Sequence, residues 1–344
     1  MESIYNFTEE DLKNKLTSEG LSGYSAGQVF DWIYEKKVQD FDLMSNLSKG
    51  VRQFFKDNFY FTSSEIVKRE KSKDKTEKFL LKLEDGHLIE AVLIPKKGRN
   101  TLCLSTQVGC KFSCSFCSSS LGGLRRQLLT SEMIEQCLFV RSKLGPGKIT
   151  NIVFMGIGEP MDNFDNVIKA IRILTNKKGL NLGKRKITIS TCGLVPQIQK
   201  LADLKIGAKL AISLHSADDK TRSKLMPVNK KYPLSELKKS LRYYSDRENY
   251  PISFEYILLG GTNIDSASAL SLAKFLRGIK AKVNLIPYNG EDPRYSIPSQ
   301  EEIKIFSEEL KKRGVFFSIR ESRGQDIKAA CGQLKALFLR ASRK

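Results

Sequence analysis

The chain has 344 residues, 40% of them hydrophobic and 28% charged, which is enough apolar material for a sizeable core and excludes a disordered chain. Fifty-eight Lys and Arg against 38 Asp and Glu leave a net charge of +20, so a polyanion such as nucleic acid is the leading class of partner. No stretch approaches the roughly 20 apolar residues that span a bilayer, and the start, MESIYNFTEEDLKNKL, has acidic residues and no signal-peptide core. The expectation is a soluble, cytoplasmic protein with no membrane partner, in which seven cysteines are free, metal-bound or catalytic thiols rather than a disulfide framework.

In chain order, residues 1–62 read as a helical N-terminal domain. A helix starts after Thr8, SAGQVFDWIYEKK puts Val29, Phe30, Ile33 and Tyr34 at helical spacing, and LSKGVRQFFKDNF follows. Over residues 63–95 the pattern alternates about an Asp85-Gly86 turn, which marks a β-hairpin extension. Between 96 and 323, strand-like runs (TLCLST, ITNIVFMG, KITIST, GAKLAISLHS, ISFEYILLGG, AKVNLIPY and VFFSIRES) alternate with helix-like segments such as SEMIEQCLFVRSKL and NVIKAIRILTNKK. That rhythm predicts an α/β fold of βα units with a parallel sheet, open or curled into a barrel, whose ligands gather at the C-terminal ends of the strands. Residues 324–344 form a C-terminal segment that carries Cys331.

Cys110, Cys114 and Cys117 form C-x3-C-x2-C directly after the first core strand. A [4Fe-4S] cluster normally takes four cysteines, so three leave one iron open to a non-protein ligand. A zinc site completed by Cys103, His87 or His215 fits the same spacing, and uncoordinated buried thiols are a third reading. Gly158-Glu159 follows the ITNIVFM strand, where glycine admits close backbone approach and a carboxylate can bind an ammonium. Pro160 and the spacing exclude a dinucleotide fingerprint. Cys331 follows a flexible-looking Ser-Arg-Gly-Gln, and Cys103 alternates with Leu102 and Leu104; both are equally readable as small core residues. Glu90 interrupts the apolar strand HLIEAVLIP, either on its solvent face or as a desolvated proton acceptor. Cys137, at helical spacing from Met133, Ile134 and Val140, reads as core.

The three-cysteine motif resembles that of the radical S-adenosylmethionine (SAM) enzymes. TLCLSTQVGCKFSCSFC, FMGIGEPMDN, ITISTCGLVP, AISLHSADDKTRSKLMPVN, VNLIPYN and RGQDIKAACGQL together resemble the RNA adenine methyltransferases of the RlmN and Cfr type. The resemblance implies a partial (β/α) radical-SAM barrel. It also implies one [4Fe-4S] cluster held by Cys110, Cys114 and Cys117, with SAM on the open iron and two SAM consumed per turnover. One SAM methylates Cys331; a second gives a 5′-deoxyadenosyl radical that activates the S-methyl for addition to adenine. Cys103 then releases the adduct by a disulfide with Cys331, and Glu90 accepts the proton. SAM contacts are implied at Gly158, Glu159, Ser190, Ser213, Leu214, His215 and Asn289. Cys192 stands where many members carry another small residue, near that SAM pocket.

The implied substrate is adenosine C2 in 23S rRNA and beside the anticodon in tRNA, with a flavodoxin-type electron donor and a monomeric enzyme. Gln107-Val108-Gly109-Cys110 and Glu321-Ser-Arg-Gly-Gln-Asp326 resemble the C2 pattern more than the C8 pattern of Cfr. Lys96-Lys97-Gly-Arg99, Arg125-Arg126, Lys177-Lys178, Lys184-Arg185-Lys186 and Lys230-Lys231 are the candidate phosphate contacts. The N-terminal domain, with Trp32 and Phe54-Phe55 among cations, resembles the family's accessory RNA-binding domain. The competing readings are a zinc-stabilised RNA-binding protein without catalysis and a radical activase acting on a protein.

Overall fold

The computed structural model describes residues 1–62, 64–144, 149–290 and 292–334; residues 335–344 of the expected C-terminal segment lie outside them. At the N-terminus, β1 (Glu2–Ser3) leads into α1 (Glu9–Ser18), α2 (Ser25–Phe30) and α3 (Lys49–Asn58), and β2 (Phe59–Tyr60) returns parallel to β1. Thr8 and Asp11 close a reciprocal capping box at the start of α1 (3.1 and 2.9 Å). Phe30, Tyr34, Phe41 and Phe55 are buried; the Phe30 and Tyr34 rings pack tilted and Phe41 stacks on Phe55, so Phe55 belongs to the core of this domain. Trp32 is half-buried, with the Lys36 ammonium 3.7 Å from its ring centroid.

Four strands follow: β3 (Glu65–Lys71), β4 (Glu77–Lys82), β5 (Leu88–Lys96) and β6 (Arg99–Cys103). A small antiparallel pair, β7 (Gln107–Gly109) and β8 (Leu124–Gln127), interrupts the chain before α4 (Thr130–Leu144). The βα alternation then runs through β9 (Asn151–Phe154), α5 (Phe164–Thr175), β10 (Ile187–Thr191), α6 (Val195–Leu204), β11 (Lys209–Ser213), α7 (Asp219–Leu225) and α8 (Leu234–Arg247). It closes with β12 (Ile252–Leu258), α9 (Ser266–Leu276), β13 (Ala281–Pro287), α10 (Gln300–Lys312) and β14 (Phe317–Ile319).

The main sheet has ten strands in the order β14-β13-β12-β11-β10-β9-β6-β5-β4-β3. From β6 to β14 neighbours are parallel, and β3 to β6 are antiparallel. The fold is the expected α/β arrangement of βα units, with β3 and β14 as open edges instead of a closed barrel. The hairpin is not detached: β5 pairs with β6, Val92 opposite Cys103, and so extends the parallel sheet.

Period-two alternation separates the two faces. Ile152, Phe154, Ile187, Ile189, Leu210, Ile212, Phe254 and Leu285 are buried on one face, which the helices cover. The other face carries small or polar residues, among them Ser190, Ala211, Ser213, Ser253, Glu255 and Asn284, and that face leaves room for a ligand.

The N-terminal domain docks on the helical layer. Arg141 of α4 donates to the Tyr34 carbonyl (2.7 Å), Lys178 pairs with Glu9 (2.9 Å), and the Ser131 N–H donates to Asn6 (2.8 Å). No helix among the described residues is long and apolar enough to cross a membrane.

Candidate active site at the strand ends

A cavity of about 430 Å³ opens at the C-terminal ends of the parallel strands. Cys110, Cys114 and Cys117 line it together with Cys331, Gly158, Glu159, Ser190, Ser213, His215 and Asn289. Leu214 differs from its expected neighbours: its side chain is fully buried in the core and only its flanking residues reach the cavity.

The cysteine loop is held by backbone-directed bonds. The Cys110 N–H donates to the Gly123 carbonyl (3.1 Å). Ser115 donates through its N–H and its hydroxyl to the Leu225 carbonyl at the end of α7 (2.9 and 3.2 Å). Tyr295 and Arg294 also bind Ser115 (2.5 and 2.8 Å). Burial pushes the Cys110 thiol up to about 12, and both Glu159 and Cys117 add to the rise. Burial likewise raises Cys114 and Cys117. Burial thus keeps the three thiols protonated, and a cationic iron centre would supply the charge that their ionised forms need.

Among the described residues no three His, Cys, Asp or Glu side chains form a group that could hold a single metal ion.

Gly158 has φ of 103°, and a Cβ there would sit 2.6 Å from Cβ of Gln107, so the turn after β9 requires glycine. This turn delivers Glu159, whose carboxylate accepts the backbone N–H groups of Met161 (3.0 Å) and Cys192 (2.8 Å). Burial raises the Glu159 pKa against those bonds. Cys192 is buried at the cavity wall.

His215 also sits at positive φ, 57°. Its Nδ1 accepts the Ile257 N–H (3.0 Å), and burial, with the nearby Arg222 charge, lowers its pKa to about 3. The ring is neutral, with its proton on Nε2.

Arg222 is fully buried and gave no sequence signal, since a cation in DKTRSKL reads as a solvated helix face. Its guanidinium donates to the carbonyls of Leu214 (3.1 Å), Cys192 (2.7 Å) and Ser213 (3.3 Å) and to Asn229 Oδ1 (2.8 Å). It thereby ties the ends of β10 and β11, which carry the cavity wall. Glu255 and Arg320 are further cavity residues outside the expected set. Glu255 accepts from Asn284 (2.7 Å) and pairs with Arg320 (3.3 Å). The carboxylate interrupting ISFEYIL was a readable signal of the same kind as Glu90.

Cys331 is exposed and Cys103 buried, and neither forms a disulfide. Burial, reinforced by Cys331, pushes the Cys103 thiol up to about 12. Cys103 packs with Val92, Ile157, Ala329 and Leu334, so the C-terminal segment lies against it. Glu90 is buried and lies two residues from Val92, on the same face of β5. It pairs with Lys78 (3.2 Å) and does not line the cavity. Cys137 is fully buried in the core.

The basic clusters divide. Arg126 is bound by Glu132 and Asp85 (2.7 and 2.5 Å) and Lys178 by Glu9. Lys184, Arg185 and Lys186 are exposed.

Comparison with known proteins agrees with this layout. The Radical SAM superfamily matches residues 104–273, and the ribosomal RNA large subunit methyltransferase N-terminal domain matches residues 3–60. The chain is 43% identical over 337 residues to a protein of Bacillus velezensis named as a probable dual-specificity RNA methyltransferase RlmN, covering 97% of this chain and 93% of that one. A Staphylococcus carnosus protein of the same name is 43% identical over 338 residues, with 97% and 93% covered. The crystal structure of a radical SAM methyltransferase from Sphaerobacter thermophilus superposes with a TM-score of 0.89 at 40% identity, covering 97% of this chain and 99% of that one. The chain is thus a radical SAM enzyme and, within that class, belongs to the RlmN family of RNA methyltransferases. Membership implies a [4Fe-4S] cluster and SAM, and the crowded thiols of Cys110, Cys114 and Cys117 fit the cluster.

Proposed function

We propose that the chain methylates C2 of adenosine in 23S rRNA and in tRNA, with Cys331 as methyl carrier. The observation that carries this reading is the meeting of Cys331 with the three-cysteine loop at one cavity, with Cys103 packed against the Ala329–Leu334 segment that carries Cys331. Cys110, Cys114 and Cys117 would hold the cluster; SAM would lie against Gly158, Glu159, Ser190, Ser213, His215 and Asn289. When bound, cluster and SAM supply an electron, the methyl group and a hydrogen-abstracting 5′-deoxyadenosyl radical.

Within the chain, Glu159 fixes the Cys192 and Met161 peptides and so shapes the wall that SAM would meet. Cys331, at the open side of the cavity, takes the methyl on sulfur and presents it to the base, which must be extruded from its stack to expose C2. Carbon–carbon bond formation at C2 leaves the base joined to Cys331 through the methylene, and the unpaired electron of that adduct would return to the cluster when it is bound. Glu90 removes the C2 proton. The Cys103 thiol then gives up its proton and attacks the Cys331 sulfur, and a Cys103–Cys331 disulfide forms as the carbon–sulfur bond breaks; the methyl carbon takes a proton. The pairing of Val92 with Cys103 and the alternation that puts Glu90 on the face of Val92 support these roles.

Nucleoside mass spectrometry of protein-free 23S rRNA and tRNA transcripts after anaerobic turnover tests the reading. The expected product is 2-methyladenosine, absent with Cys331→Ala. A product that is mostly 8-methyladenosine overturns the C2 assignment.

A further inference from the structure

Arg99, Arg185, Lys186, Lys209 and Lys282 crowd the N-terminal ends of the parallel strands, opposite the cavity. Arg99 opens β6, Arg185 and Lys186 directly precede β10, Lys209 opens β11, and Lys282 is near the start of β13. Alternation puts Lys209 on the face of Ser213 and Lys282 on the face of Asn284, the side of the sheet that carries the cavity. Burial and the positive charges of Lys282, Arg99, Lys186 and Arg185 hold the Lys209 ammonium below the usual lysine range.

Among the described residues none of the five lies within ion-pair distance of a carboxylate. Glu248, at the same end, faces Lys205. Another repelling group, Lys238 with Arg242 and Arg277, is structurally satisfied. Lys238 and Arg242 donate to the Lys274 and Arg277 carbonyls at the end of α9 (2.9 and 3.3 Å), where the helix dipole favours cations. The five have no such anchor. Arg99 reaches the Thr101 hydroxyl (3.0 Å) and Arg185 lies over the Tyr250 ring (5.9 Å). Like charges gathered with no counter-ion cost the fold stability, and an external anion offsets that cost.

We propose that this end of the sheet is a phosphate-contact surface for the RNA substrate, gripping backbone away from the target base. The proposal rests on RNA being the substrate. Cations spread over several strand ends beside an aromatic ring match a chain of phosphates with stackable bases better than a single small anion. Lys209 and Ser213 are the two ends of β11, so about 13 Å separates this surface from the cavity at ~3.3 Å per residue, within reach of one folded RNA.

The test is Lys186→Gln/Lys209→Gln/Lys282→Gln in the reconstituted enzyme, with 23S rRNA and tRNA transcripts as probes in salt-titrated binding. The expected result is a Kd raised about tenfold or more near 0.15 M salt, with the slope of log K against log salt reduced by about two to three. At saturating RNA kcat is unchanged, and the thermal midpoint is equal or higher because repulsion has been removed. An unchanged Kd and slope overturns the proposal. So does a lowered thermal midpoint with loss of kcat, which assigns the lysines to the fold. Wild-type enzyme that binds but methylates neither RNA contradicts the function proposed above while leaving this binding comparison intact.

Discussion

Ser118 donates its backbone N–H to the carbonyl of Gly332 at 2.8 Å, so the loop that carries the three cavity cysteines also holds the segment that carries Cys331. Ser119 repeats the link: its buried hydroxyl donates to the Leu334 carbonyl at 2.8 Å. Because the hydroxyl is the only removable half of that bond, Ser119→Ala leaves a buried carbonyl unpaired at a cost of about 1 kcal/mol. Amide hydrogen exchange over Gly332–Leu334 is expected to accelerate roughly fivefold, with the rest of the protein unchanged. Equal protection in both proteins refutes the docking.

Cys103→Ala removes the thiol that resolves the adduct but not the carrier. The variant is expected to accumulate RNA covalently joined to protein, visible as a slow band on a denaturing gel and absent with Cys103→Ala/Cys331→Ala. Free methylated RNA at the wild-type rate would show that Cys103 has no such role.

Gly158→Ala places a side chain at φ of 103° and against Gln107. The strain is expected to cost about 2 kcal/mol or more and to displace Glu159, weakening SAM binding measured by calorimetry. A wild-type thermal midpoint with unchanged SAM affinity contradicts this.

Glu135 on α4 is buried and accepts the Ser64 hydroxyl (2.6 Å). Burial, partly opposed by Ser64, raises its pKa from 4.5 to about 7. A carboxyl whose folded pKa lies above its unfolded value binds more protons when folded. The stability it contributes is complete below about pH 4.5 and is lost as pH rises through 7, up to about 3 kcal/mol. Glu135→Gln keeps an acceptor for Ser64 without the charge, so it should match wild type at pH 4.5 and exceed it at pH 8 in urea unfolding. Parallel pH profiles would rule the effect out.

Arg222→Met removes the guanidinium donor from the Cys192, Ser213 and Leu214 carbonyls and from Asn229, and Leu214 keeps only the Ser216 N–H. We expect a loss of about 3 kcal/mol or more in chemical unfolding, and Arg222→Lys should recover part of it. A cost below about 1 kcal/mol would mean that the guanidinium does not tie β10 to β11.

The βα rhythm was readable because β6 and β9 to β14 each present a short apolar run, and the three-cysteine motif falls after the first of them. The β7–β8 pair and α7 were not readable: Gln107–Gly109, Leu124–Gln127 and Asp219–Leu225 are too short to show a period. Glu90 could belong to either face in sequence, and only the pairing of Val92 with Cys103 decides it. Arg222 is a tertiary effect, because nothing in DKTRSKL marks an arginine that is wholly buried. The family resemblance implied Leu214 at the site together with Ser213 and His215, and the structure turns its side chain into the core.

The central claim, that Cys331 carries the methyl group to the base, is tested most directly by peptide mass spectrometry after anaerobic incubation with SAM bearing a labelled methyl. The account predicts label on Cys331 before RNA is added and its transfer to adenosine afterwards. Labelled adenosine with Cys331 never labelled would contradict it.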